Sequence, residues 1–260
     1  MITGNTASGT FYVFNKKEQS IPIVFVHGVG LTYEIWQPQL DFFKDYSNLS
    51  YDILGHGKSS LTKQNISFDD FSDQLIELIN ELKIEKIHLV GFSIGSLIAR
   101  NFATRYGDRL RSLVLLGSIY KRSEQQQKIV NERFNQAKKE LKLSRQALKR
   151  WFTDKYLENN PGTYEKISSI LSKNNMTNFL KVYELFVKHK NDEDFKKIQT
   201  KTLVMTGEHD IGSTIEMSQQ LNNVIMDSEL KIIKEGKHLC GIECADEVNL
   251  SIKNFIDKHE

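Results

Sequence analysis

A chain of 260 residues, 39% hydrophobic and 26% charged, has ordinary globular composition and can bury a full core without disulfide or metal staples. Thirty-five Lys and Arg against 33 Asp and Glu leave a formal charge of +2, so the whole-molecule field argues for neither nucleic acid nor a membrane surface. Residues 1–20 hold no apolar run, and no stretch approaches the roughly 20 apolar residues of a membrane span; with only two cysteines, a cytoplasmic protein is the expectation.

Residues 9–15 and 21–26 read as strands, the second a nearly unbroken apolar run of the kind buried on both faces of a parallel sheet. Residues 31–46 read as a helix with Ile35, Trp36, Leu40, Phe42 and Phe43 on one side, and residues 48–53 as a weaker strand. Ser67 is a good cap for a helix over 68–82, where Phe71, Leu75, Leu78, Ile79 and Leu82 repeat at helical spacing. A strand at 86–90, a helix at 94–106 and a strand at 110–116 follow. Such alternation implies an α/β fold with a mostly parallel central sheet and helices on both faces, because parallel neighbours need crossover connections.

From about 118 to 195 the pattern turns helical and rich in Lys, Gln and Asn, without a convincing strand. Strands resume at 201–206 and 229–234, and a helix at 245–258 closes the chain. The expected organisation is a core domain of residues 1–117 and 201–260, with residues 118–200 inserted as an α-helical cap over the carboxyl edge of the sheet, where open α/β sheets bind ligands. Residues 121–200 carry 18 basic and ten acidic side chains, a local +8 that leaves −6 elsewhere. A solvated basic helix face explains that excess; attraction of an anionic substrate or an acidic carrier is the functional alternative.

Gly91-Phe92-Ser93-Ile94-Gly95 lies between a predicted strand and a predicted helix, the context a G-x-S-x-G nucleophile turn requires. A serine hydroxyl needs a base, and the base needs a group that fixes its tautomer. Of seven histidines, His88 falls in a predicted strand, His189 in the inserted block and His259 at the chain's end, whereas His238 follows the last strand at the carboxyl edge. Asp210, three past Gly207, follows the strand before it and is preferred to Glu208 as the acid. Ser93, Asp210 and His238 then occur along the chain in the order nucleophile, acid, base, unlike either of the two protease orders.

Acyl transfer also needs oxyanion donors. The N–H of Ile94 at the start of a helix is one, and the N–H of Val29 in His27-Gly28-Val29-Gly30 is the other, with Gly28 allowing close approach to substrate. His27 is read as a loop residue bonding backbone, and Asp52-Ile53-Leu54-Gly55-His56-Gly57-Lys58-Ser59 as a structural turn. Cys240 and Cys244 after His238 make an incomplete zinc set, so no metal and no cofactor are expected.

Taken together, His27-Gly28-Val29-Gly30, Asp52-x-x-Gly55-x-Gly57-x-Ser59, Gly91-x-Ser93-x-Gly95, Gly207-x-x-Asp210 and His238 resemble the α/β-hydrolase superfamily over residues 9–256. Within it the chain is most similar to 3-oxoadipate enol-lactonases and small carboxylesterases, through Ile35-Trp36-Gln37-Pro38-Gln39, Arg150-Trp151-Phe152-Thr153 with Tyr156, and Lys237-His238 followed by Ile242-Glu243 and Ala245-Asp246. That resemblance implies that Arg150 and Trp151 line the pocket, the arginine facing a substrate carboxylate; a surface arginine and a core tryptophan are the other reading. The family commonly has a second glycine where this chain has Ser96, which is expected to tighten packing behind the nucleophile.

The leading expectation is a serine hydrolase acting on a small carboxylic ester or lactone, with neither nucleic acid nor membrane as partner. Two alternatives stand beside it: a methyl esterase docking an acidic acyl carrier through the basic block, and a ligand receptor or signalling protein that keeps the triad.

Overall fold

The computed structural model describes every residue except 19, 140–144 and 192, and every side chain except those of these residues and of 145–147. In chain order the strands are β1 (Ile2–Asn5), β2 (Phe11–Asn15), β3 (Ile23–Val26), β4 (Asn48–Tyr51), β5 (Ile87–Phe92), β6 (Leu110–Leu116), β7 (Thr202–Gly207) and β8 (Ser228–Ile233). They form one sheet in the order β1-β2-β4-β3-β5-β6-β7-β8, antiparallel at β1/β2 and β2/β4 and parallel from β4 to β8.

The helices are α1 (Gln37–Phe42), α2 (Phe68–Glu81), α3 (Ile94–Tyr106), α4 (Glu124–Lys139), α5 (Arg145–Trp151), α6 (Asp154–Asn159), α7 (Thr163–Ser172), α8 (Met176–Lys188), α9 (Ile215–Val224), α10 (Cys240–Glu243) and α11 (Ala245–Lys258). Five of them, α4 to α8, stand between β6 and β7, where the sequence predicts a helical insertion; 140–144 and 192 of that stretch lie outside the described residues.

Side chains alternate across a strand, and β3 shows why its sequence is apolar throughout. Val24 and Val26 join the core with Phe71, Leu75 and Leu97 from α2 and α3, while Ile23 and Phe25 join the other core with Leu40 of α1 and Ile252 and Phe255 of α11. Both faces are covered, so no position tolerates a polar side chain. No helix among the described residues is long and apolar enough to cross a membrane.

The predicted helix over 31–46 is instead a 3₁₀ turn at Tyr33–Trp36 and the short α1. Pro38 lies at the start of α1, where its missing N–H costs nothing, whereas inside a continuous helix its ring would clash with the preceding turn. Three elements lie outside the predicted ones: β1 on the sheet's edge, the short α10, and α9, capped by Thr214 whose Oγ1 accepts from the Met217 N–H at 3.3 Å. Ser67 caps α2 through a capping box closed by Asp70.

Candidate active site

β3 is flanked by β4 on one side and β5 on the other, so chain connections leave it in opposite directions and open a crevice beyond the carboxyl ends of β3 and β5. The loop after β3 carries His27 to Gly30, and the turn after β5 carries Ser93.

Ser93 adopts φ 56° and ψ −119°, a left-handed conformation unusual for a residue with a side chain. The turn is held from three directions: the Ser93 N–H donates to the Leu116 carbonyl at 3.0 Å, Ser96 Oγ donates to the Ser93 carbonyl at 2.5 Å, and α3 starts at Ile94. Gly95 is required by close approach, since a Cβ there would stand 2.3 Å from the Val26 carbonyl oxygen. Ser96, where the family pattern has glycine, thus donates to the backbone of the turn that projects Ser93.

His238 follows β8 and brings Nε2 to 3.3 Å from Ser93 Oγ. Its Nδ1 lies 2.7 Å from Asp210 Oδ2, and the Phe92 ring packs on the imidazole at 4.9 Å. Asp210 and Ser93 are each 5% exposed, while the His238 side chain is 19% exposed. Three side chains separated by 28 and 145 residues therefore meet at one edge of the sheet.

The loop of Gly28, Val29 and Gly30 is fixed by two buried histidines that the sequence marks only as structural. His27 Nε2 accepts from the Ile53 N–H at 3.0 Å and Nδ1 faces the Gly28 carbonyl at 2.8 Å; His56 Nε2 accepts from the Gly30 N–H at 2.8 Å. Accepting at Nε2 requires neutral rings, and burial lowers His27 to about 4 and, helped by His27, His56 to about 3. Asn174, from the segment between α7 and α8, donates to the Gly30 carbonyl at 2.7 Å, so the helical block also holds this loop. Among the described residues, the N–H groups of Val29 and Ile94 take part in none of the loop hydrogen bonds of this region.

Arg150 and Trp151 end α5, both half-buried, and the Trp151 carbonyl accepts from the Leu239 N–H at 3.0 Å, next to His238. Glu243 ties the same two segments, accepting from Thr153 N–H at 2.7 Å and Lys237 N–H at 3.0 Å. Glu243 carries no role legible in the sequence, because no local pattern reveals so remote a contact.

Cys240 is buried, Cys244 is half-exposed, both are free, and burial raises both thiols. Among the described residues, the one group of His, Cys, Asp and Glu whose ligand atoms approach within 4.8 Å of one another is Glu208, His209 and Glu235, all exposed.

The family model for the α/β-hydrolase fold matches residues 21–243, and the chain belongs to that family. Similar proteins include (E)-2-((N-methylformamido)methylene)succinate hydrolase of Acinetobacter baylyi, 28% identical over 95% of this chain and 94% of its own length. Another is 3-oxoadipate enol-lactonase 2 of the same organism, 24% identical over 89% of this chain and 86% of the relative. The crystal structure of the enol-lactonase from Burkholderia xenovorans LB400 superposes with a TM-score of 0.89, at 22% identity, covering 98% of this chain and all of that one.

Proposed function

We propose that this chain is a serine hydrolase that cleaves a small carboxylic ester or lactone through an acyl-enzyme. The observation that carries the reading is the relay from Ser93 Oγ to His238 Nε2 at 3.3 Å and from His238 Nδ1 to Asp210 Oδ2 at 2.7 Å. The relatives' names support it: one hydrolyses a substituted succinate and another an enol-lactone.

In this reading Ser93 Oγ attacks the carbonyl carbon as its proton passes to His238 Nε2. The electron pair of the carbonyl moves onto its oxygen, which the N–H groups of Val29 and Ile94 receive. Collapse expels the alkoxide, which takes the proton from His238; a water molecule then repeats the sequence and releases the acid. Asp210 keeps the Nδ1 proton in place, so Nε2 is free to accept. Residues 118–200 act as the cap over a core of 1–117 and 201–260, with Arg150, Trp151 and Gly28 beside the substrate. The route needs neither metal nor organic cofactor.

The test is Ser93→Ala assayed on 4-nitrophenyl acetate, alongside labelling of the unmodified protein with a fluorophosphonate. Hydrolysis should fall to background and the label should map to Ser93; an undiminished rate in the variant removes Ser93 from the mechanism.

A further inference from the structure

His238 lies on a segment that is neither strand nor helix, between β8, which ends at Ile233, and α10, which starts at Cys240. Glu235 on that segment takes the left-handed φ of 57°, so the direction of β8 is lost before the chain reaches the base. The backbone on either side of His238 is instead held by the turn between α5 and α6. On one side the Leu239 N–H donates to the Trp151 carbonyl at 3.0 Å. On the other, Lys237 Nζ donates to the Lys149 carbonyl at 2.6 Å, so the last turn of α5 finds here partners for carbonyls that its own helix leaves open.

Glu243 completes the junction. Its Oε2 accepts from the Lys237 N–H at 3.0 Å, immediately before the base. Its Oε1 accepts from the Thr153 N–H at 2.7 Å and from the Thr153 hydroxyl, in the turn that enters α6. Both oxygens of this half-buried carboxylate are thereby engaged, one with each segment. Hydrogen bonds to a charged acceptor are the stronger kind, and here they tie two stretches of main chain rather than two mobile side chains. Fully buried Phe152, between Trp151 and Thr153, packs in the same core as Leu239 and Cys240, so the turn cannot withdraw without uncovering apolar surface.

The junction bears on the reach of the imidazole. Asp210 grips Nδ1 at 2.7 Å, whereas Nε2 stands 3.3 Å from Ser93 Oγ, at the outer limit for proton transfer. One contact fixes one end of the ring and leaves its swing to the backbone that carries it. Residues 237–239 therefore decide whether Nε2 faces the hydroxyl, and misplacement by about 1 Å at a reacting centre can cost about 100-fold in rate.

We propose that Glu243 is a positioning residue for His238: by joining Lys237 to Thr153 it sets the base against the nucleophile through the α5–α6 turn. The helical block then takes part in proton transfer without supplying a reacting atom. The effect on rate rests on the serine-hydrolase reading; the restraint on the imidazole does not.

Glu243→Gln keeps one acceptor oxygen and so one of the two ties, while Glu243→Ala keeps neither. On 4-nitrophenyl acetate kcat should fall about ten-fold in the first and about 100-fold in the second, with KM within about two-fold of the unmodified protein. Placed in a His238→Ala background, either substitution should lower the residual rate by less than about two-fold, since a residue that acts through the imidazole has nothing left to act on. A kcat within about two-fold of the unmodified protein in both variants overturns the proposal, and so does an undiminished further loss in the His238→Ala background, which would make Glu243 a general support of the fold. If a melting curve shows Glu243→Ala unfolded, the same comparison is made with Glu243→Gln. Should the unmodified protein cleave no ester, the hydrolase reading fails and proton NMR decides the restraint. The downfield signal of the His238 Nδ1 proton, identified by its loss in His238→Gln, should broaden in Glu243→Gln, and an unchanged signal overturns the proposal.

Discussion

The Asp210 carboxylate splits its two oxygens between tasks: Oδ2 faces His238 Nδ1 at 2.7 Å, and Oδ1 accepts from the N–H groups of Gly212 and Ser213 at 2.8 and 3.0 Å. This division predicts the effect of Asp210→Asn. The amide oxygen must take the Oδ1 place, because two donors point at it, so the NH₂ group faces His238. Nδ1 then becomes an acceptor, the proton moves to Nε2, and the imidazole cannot accept from Ser93. The variant should fold normally yet lose about 10³–10⁴-fold in kcat on a short aryl ester, with KM little changed. Steady-state kinetics and a melting curve check it; a loss below about ten-fold would show that the tautomer does not govern the rate.

Much of this arrangement is legible in the sequence because it is local. Gly91 to Gly95 between an apolar strand and an apolar helix specifies the turn at Ser93, and strand ends locate the loops of Asp210 and His238. The predicted strand at 86–90 stops two residues short of β5, since pairing of Phe92 with Leu116 is a property of the neighbouring strand. Helix α9, absent from the predicted elements, carries a local signal all the same, with Thr214, Met217 and Leu221 at capping and helical spacing. By contrast, the contacts of Glu243 with Thr153 and of Asn174 with Gly30 join segments 90 and 144 residues apart, and no periodicity encodes them.

Gly28 sits where the loop after β3 passes close to Ser93. A Cβ there would meet Phe92 Cε1 at 3.0 Å and Ser93 Cβ at 3.3 Å, contacts tight enough that either the Phe92 ring or the loop must shift by a few tenths of an ångström. Gly28→Ala should therefore move the Val29 N–H away from the place of the oxyanion and lower kcat on the order of 10–100-fold, since small misplacements at a reacting centre are costly. Its melting temperature should change far less than its rate, because the loop stays anchored by His27 and His56. Wild-type kcat in this variant would remove the loop from transition-state binding.

Three buried histidines make stability depend on pH. Burial holds His27 to about 4 and His88 to about 4, the latter aided by Arg111, and burial with His27 holds His56 to about 3. Unfolded, each would titrate near 6.5, so between about pH 6.5 and 4 the unfolded chain binds more protons than the folded one. Stability is then full above pH 6.5 and falls on acidification, by about 1.4 kcal/mol per pH unit for each histidine that stays neutral. His88, whose Nδ1 lies 2.7 Å from Ser112 Oγ inside the sheet, is remote from Ser93, and His88→Gln should flatten the profile by one histidine's share. Urea denaturation at pH 7, 6 and 5 measures it; equal unfolding free energies at all three would refute the neutral, buried assignment.

Arg100 joins both ends of the helical block to α3, the helix that follows Ser93. From α3 its Nη1 donates to the Ile119 carbonyl at 2.8 Å, on the way into the block, and its Nη2 meets Glu193 at 2.7 Å, on the way out. Glu193 Oε1 lies 3.2 Å from His189 Nε2. Burial opposes the Glu193 charge, but the hydrogen bond from His189 and the field of Arg100 outweigh it and lower the carboxyl to about 2. A depressed carboxyl contributes stability that is present above its unfolded value of about 4.3 and is lost as pH falls toward 2. Arg100→Met leaves that carboxylate buried without its guanidinium partner and should cost about 3–5 kcal/mol at pH 7. Replacing both members, as Arg100→Met with Glu193→Leu, should recover part of the loss, because an apolar pair avoids the desolvation that the ion pair must overcome. Hydrogen exchange distinguishes a hinge from a general core defect: in Arg100→Met, amides at 118–121 and 187–191 should exchange faster while those of β5 and β6 keep their protection. Uniform acceleration through β5 and β6 would mean that Arg100 supports the whole sheet and not the junction of the block.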